Sequence, residues 1–234
     1  GLVTAIRMGR RIYENIRNAM CYLIAVHIPL AGAGLLPLLL GWPLLLFPLH
    51  VVFLEFVIDP ACSLVFEGEQ HGEEIMRRPP RDRRERLFSG AMLLESLALG
   101  IISLGAVALV YGLALSAVSE WQARALGFIV LVVNNLGLIL VSRSRSDSIA
   151  SVLLRPNRAF WLITGLAVAA LIIVTNVPPV AEAFRFEAPP AAAAFAAALT
   201  GMAAVAITGV LRSLLRSRRL KNGEFKLPGP RPAT

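Results

Sequence analysis

Two carboxylates four residues apart, Glu55 and Asp59, stand inside the apolar run FLEFVIDPACSLVF at residues 53–66. On a helix this spacing puts both on one face, about a turn from each other. Together they could aim up to four oxygens at one cation, the kind of ligand that calcium and other hard cations take. Charge inside a membrane helix is expensive, so an intramembrane acid is a functional candidate by default. Pro60 follows Asp59 directly; it lacks an N–H and clashes with the preceding turn, so the helix is expected to break near Asp59–Pro60 and free the Phe56 carbonyl. Bare carbonyls of broken membrane helices are a recurring way to bind ions at mid-bilayer. The competing reading is that the two acids pair with neighbouring side chains for structure alone.

A weaker partner feature lies upstream. His27 precedes Pro29 by two residues, so a polar side chain sits beside a second expected helix break that would free the Ala25 carbonyl. Its imidazole could serve as a ligand or proton relay, or be hydrogen-bonded structure. Asn134 and Asn135 fall midway along a later apolar run, where amides bond neighbouring helices. Glu95, early in another run, is expected to be solvated or paired with an arginine and is assigned no role. The loop at residues 67–86 mixes acids and bases. Its His71 with Glu69, Glu73 and Glu74 has no spacing that fixes a metal geometry, so the loop reads as solvated and membrane-proximal.

Other chemistry is missing. There is no GxxxxGK(S/T) phosphate loop, no HExxH, no nucleophile elbow and no dinucleotide glycine fingerprint. Ser63 and Cys62 have no adjacent base or oxyanion site. The sequence therefore offers no catalytic residue and no cofactor site of its own. Cys21 and Cys62 lie in apolar stretches and read as small buried residues.

The residues must be held by elements suited to a bilayer. Of 234 residues, 56% are hydrophobic and only 16% charged, with a mean hydropathy of +0.69; soluble domains carry about a quarter charged residues. The net charge of +8 does not point to nucleic acid, because Lys and Arg sit in short clusters between apolar runs. A bilayer core needs about 20 apolar helical residues. Six stretches fit, at approximately 20–40, 47–66, 90–115, 123–141, 160–177 and 191–211, predicting an all-α integral membrane bundle of about six transmembrane helices. Residues 1–18 then form a cytoplasmic stalk helix, 19–215 the transmembrane domain and 216–234 a basic cytoplasmic tail. Trp42, Pro43 and Pro48 make the first link a tight hairpin.

Orientation follows from the arginines, since short cytoplasmic loops carry excess Lys and Arg. Arg7, Arg10, Arg11 and Arg17 precede the first span. Arg77, Arg78, Arg81, Arg83, Arg84 and Arg86 lie between the second and third, and Arg143, Arg145, Arg155 and Arg158 follow the fourth. The tail adds further Lys and Arg, while only Arg124 and Arg185 fall on the other side. Both termini are thus expected in the cytoplasm. The apolar run after Arg17 is too long for a signal-peptide core, and Gly1 in place of Met makes an upstream extension expected.

The segment GRRIYENIRNAMCYLIAVHIPLAG, residues 9–32, followed by FLEFVIDPACSLVFEGE, residues 53–69, resembles the fifth and sixth membrane helices of bacterial P-type cation-transporting ATPases, most like the calcium-pump group. RALGFIVLVVNNLGLILVSRS, residues 124–144, is similar to the eighth family helix, and six helices to the C-terminus complete the family's ten. The resemblance implies that Asp59 matches a cation-coordinating Asp of the sixth helix, that Glu55 matches an Asn one turn before it, and that His27 falls where the family has an Asn ligand. Leu30 departs from the pattern, standing where calcium pumps carry a liganding Glu, and Pro29 replaces a Gly; the ion is left open among calcium, another metal ion, a monovalent ion and protons. The resemblance further implies half of a cation-binding and translocation site in a bacterial plasma membrane. ATP and magnesium would act only through missing cytoplasmic domains in an N-terminal part that carries the DKTGT aspartate. The chain alone is not expected to hydrolyse ATP. The alternative is a standalone membrane scaffold or regulator built from the same bundle. The partners implied are the lipid bilayer, that N-terminal part and an inorganic cation.

Overall fold

The computed structural model describes residues 1–69, 74–77, 90–143, 152 and 156–221. Most of the expected loop between the second and third spans, Arg145 and Arg155 beyond the fourth, and the tail from residue 222 lie outside the described residues. Regular structure among those described is entirely helical, and six helices are long and apolar enough to cross a membrane. They are α1 (Leu2–Leu40), α2 (Pro48–Pro60, continued by Ala61–Phe66), α4 (Gly90–Leu115), α5 (Glu120–Ser142), α6 (Arg158–Asn176) and α8 (Ala191–Lys221); α3 (Glu74–Arg77) and α7 (Pro178–Ala183) are short.

At 39 residues, α1 is about 58 Å long at 1.5 Å per residue, twice the bilayer core of about 30 Å. Pro29 lies inside it without ending it, as does Pro37. The helix runs on through Pro29: proline's φ is already helical, and one missing N–H can be absorbed within a packed helix. The helix stops at Gly41, whose φ of 67° is left-handed and suits a residue without Cβ. The Trp42 N–H then bonds the Pro37 carbonyl at 2.8 Å, turning the chain into the hairpin.

The layout turns on α5. In its most apolar stretch 89% of residues are buried, against 22–44% in the other five spans. It is apolar on every side, the pattern of a helix surrounded by others, and it packs against α1, α4, α6 and α8. Close approach to α8 depends on small residues, since a Cβ on Gly137 would overlap the Val205 side chain. Asn134 and Asn135 act as expected between helices: Asn134 Nδ2 donates to the Ser103 carbonyl of α4 at 3.1 Å, and Tyr22 of α1 donates its hydroxyl to Asn135 Oδ1 at 2.6 Å. Glu95 pairs with Arg212 of α8 at 2.7 Å, and Arg212 also donates to the Val141 carbonyl.

Each end of α5 carries a buried arginine. At its C-terminal end, Arg143 meets Glu69. At the hairpin end, Arg124 donates to the Leu44 and Arg185 carbonyls, both at 2.9 Å, and to Glu120, with its guanidinium 5.1 Å from the Phe47 ring centre. Around it Phe47, Phe53, Phe128, Phe184 and Phe186 pack on the buried ring of His50 or on each other. His50 Nδ1 in turn accepts the Phe47 N–H at 2.9 Å, closing the first turn of α2 behind Pro48.

Candidate cation site on the second helix

The second membrane helix changes character at its proline. It is α-helical from Pro48 to Pro60 and π-helical from Ala61 to Phe66. Pro60 cannot return a hydrogen bond to the turn before it, and the Ala61 N–H is shared between the Val57 and Ile58 carbonyls. The hydroxyl of Ser63 donates to the Asp59 carbonyl at 3.0 Å. The expected break near Asp59–Pro60 thus takes the form of a widened turn, a geometry that clusters at functional sites.

Glu55 and Asp59 occupy the middle of this helix, immediately before the widened turn. Glu55 is partly buried and Asp59 exposed on the face of the bundle. Among the described residues neither carboxylate has a hydrogen-bond or ion-pair partner, which goes against the reading that they are internal structural pairs.

His27 is placed differently. Its imidazole is exposed and turns back on its own helix, with Nδ1 2.7 Å from the Leu23 carbonyl. Among the described residues no three His, Cys, Asp or Glu side chains gather closely enough to hold a metal ion, so His27, Glu55 and Asp59 are not brought together. Leu30 lines a cavity of about 10 Å³ with Val26, Pro29, Leu54, Ile58, Leu131 and Asn135. A volume of that size is near the minimum for one water, and its almost wholly apolar wall offers no set of ligands.

Two carboxylates supply two negative charges and up to four oxygens, whereas calcium takes six to eight. The pair thus fits part of a cation site, with the remaining oxygens to come from water, freed carbonyls or another helix packed on the exposed face. Sequence reading missed Tyr22, because nothing in a lone aromatic of α1 signals its hydrogen bond to Asn135, 113 residues on. It also assigned Glu69 to a solvated loop; the structure corrects this, since Glu69 is 2% exposed and paired.

Six helices long and apolar enough to cross a membrane, packed around α5, define a multi-pass membrane domain. The family described as "Cation transporting ATPase, C-terminus" matches residues 43–214, and the chain belongs to it. It is a membrane-domain part of a P-type ATPase. Calcium-transporting ATPase 1 of Bacillus cereus is 28% identical over 209 residues, covering 80% of this chain and 23% of that protein. The calcium-transporting ATPase of Bacillus subtilis is 27% identical over 188 residues, covering 78% and 21%. The endoplasmic reticulum calcium ATPase srcA of Aspergillus fumigatus is 36% identical over 101 residues, 42% of this chain and 10% of that one. The chain spans between a fifth and a quarter of the length of the two Bacillus relatives.

Proposed function

We propose that this chain supplies half of the cation-binding and translocation site of a P-type ATPase, with Glu55 and Asp59 as its ligands and His27 as a minor contributor. The observation that carries the reading is the pair of carboxylates at mid-helix with no hydrogen-bond or ion-pair partner among the described residues. Acids in that position need a compensating charge, and a cation shared with a further helix provides it. The relatives named for calcium transport favour calcium as the substrate. Under this reading residues 1–18 form a cytoplasmic stalk, 19–215 the membrane domain and 216–234 a basic cytoplasmic tail, with both termini on the cytoplasmic side of the bacterial plasma membrane. The remaining domains of the ATPase, with ATP and magnesium, supply the phosphoryl chemistry. The widened turn after Pro60 frees backbone near Asp59 to complete the shell.

The test is made in the complete ATPase that carries this segment. Asp59→Asn and Glu55→Gln keep size and shape while removing charge, and each is expected to abolish calcium-dependent phosphorylation from ATP. Unchanged calcium dependence in both variants would remove the proposed site.

A further inference from the structure

The π-helical turn of α2 ends on a buried polar node. Glu69, three residues beyond Phe66, is 2% exposed and Arg143 is fully buried; Arg143 Nε donates to Glu69 Oε2 at 2.8 Å. Asn157, the N-cap of α6, donates through Nδ2 to Glu69 Oε2 at 2.9 Å and to the Val65 carbonyl at 3.1 Å. Its Oδ1 accepts the Phe160 N–H at 3.0 Å, and the Arg143 guanidinium lies 5.0 Å from the Phe160 ring centre. Asn18 of α1 closes the far side by donating to the Arg143 carbonyl at 3.0 Å. The node therefore grips α2 at two points, a carbonyl inside the π turn and a carboxylate just past it, and ties both to α5 and α6.

This grip matters because a π turn holds one residue more than an α turn and is rarely kept in a free helix. Winding that residue into α geometry would turn the two ends of the helix by about 100° relative to each other. At the upstream end Pro60 removes the donor that an α turn would use. At the downstream end rotation would pull the Val65 carbonyl off Asn157 and Glu69 off Arg143. With the far end fixed to the bundle, the rotation would fall on the part that carries Glu55 and Asp59.

We propose that Glu69, Arg143 and Asn157 are positioning residues that lock the π register of α2 and so aim Asp59 and Glu55 at the cation. The proposal rests on the reading of those two acids as the cation site. Groups that orient metal ligands from behind commonly change affinity by about 10- to 100-fold when removed, and an effect of that size belongs to affinity, not to the phosphoryl chemistry.

The experiment measures calcium-dependent phosphorylation from ATP in the complete pump, separating the calcium concentration for half-maximal phosphorylation from the maximal level. Glu69→Gln alone would take the facing carboxylate from a buried arginine, so the decisive variant is Glu69→Gln with Arg143→Met, which removes both charges; Asn157→Ala is the second variant and loses the grip on Val65. The expected result is a rise of about tenfold or more in the half-maximal concentration with the maximal level within about twofold of the unaltered pump. A merely structural role would lower the maximal level and thermal stability without moving the half-maximal concentration. That result, or an unmoved half-maximal concentration in folded Asn157→Ala, overturns the proposal. Should Asp59→Asn and Glu55→Gln leave calcium dependence intact, the site reading itself fails; should they abolish it while the node variants leave affinity unmoved, only the positioning role fails.

Discussion

The two ends of α5 bury the same residue type in different ways. Arg143 faces a carboxylate, Glu69, that is as buried as itself, and an asparagine shares the charge. Arg124 faces main-chain carbonyls from the α1–α2 hairpin and the loop after α7, and its acidic partner Glu120 is 49% exposed. In the first case the buried carboxylate has Arg143 as its counter-charge, so removing the arginine leaves a buried ion. In the second the guanidinium fastens loops whose carbonyls can turn to water when it is gone. The carbonyl of Arg185 belongs to a residue with φ of 52°, a conformation uncommon for a side-chain-bearing residue, which is kept in place by Arg124 and by stacking of its own guanidinium 4.4 Å from the Phe47 ring centre. One end is thus an ionic lock under the widened turn of α2, and the other is a staple across connecting loops.

The largest effect should come from splitting the ionic lock. Arg143→Met is expected to destabilise the detergent-solubilised protein by about 3–5 kcal/mol, because Glu69 is left buried without its counter-charge. Pairing it with Glu69→Gln should recover most of that loss, a difference that thermal unfolding of the single and double variants would expose. Equal losses in both would mean that the charges are not mutual compensation.

Next in size is the staple. Arg124→Met removes charged hydrogen bonds to two carbonyls and is expected to lose about 2–3 kcal/mol, the range for such bonds after water competes for the freed groups. Protease sensitivity of the 41–47 and 184–190 connections should rise with it, while the half-maximal calcium concentration stays where it was. A shift in calcium affinity as large as that of the Glu69–Arg143 variants would erase the distinction between the two ends.

Pro60→Ala comes third. It restores an N–H at the head of the π turn, and the expected outcome is a several-fold weaker calcium response together with unchanged or higher thermal stability, since a proline inside a helix is unfavourable. Lower stability with unaltered affinity would make Pro60 a packing residue. The smallest effect belongs to Glu120→Gln: an ion pair with one partner half in solvent contributes no more than about 1 kcal/mol, so melting temperature and calcium response should both remain close to those of the unaltered protein.

Much of the architecture could be read along the chain. Apolar length alone counts six crossings, and the turn formers around Trp42 give the first hairpin. Glu55, Asp59 and Pro60 announce themselves because acids and a proline are unfavourable in a membrane helix and are adjacent in sequence. The same local reasoning does not say how far α1 runs past Pro29, since a proline's effect on a helix depends on what packs around it. It also treated Arg143 and Arg124 only as loop charges that report orientation, and Glu69 as solvated. Their partners lie 74 residues away for Arg143, and 61 and 80 residues away in the case of the Arg124 carbonyl contacts. No periodicity carries that information.

What the sequence by itself determined is the solvent of each segment: water or bilayer follows from transfer free energies summed over a span, a property of composition and order alone. Tertiary structure decided which charges are paired. It set Glu69 against Arg143 and joined Tyr22 to Asn135. Those outcomes depend on the rotation and depth of one helix against another, which are fixed by packing around α5 and not by any helix considered alone.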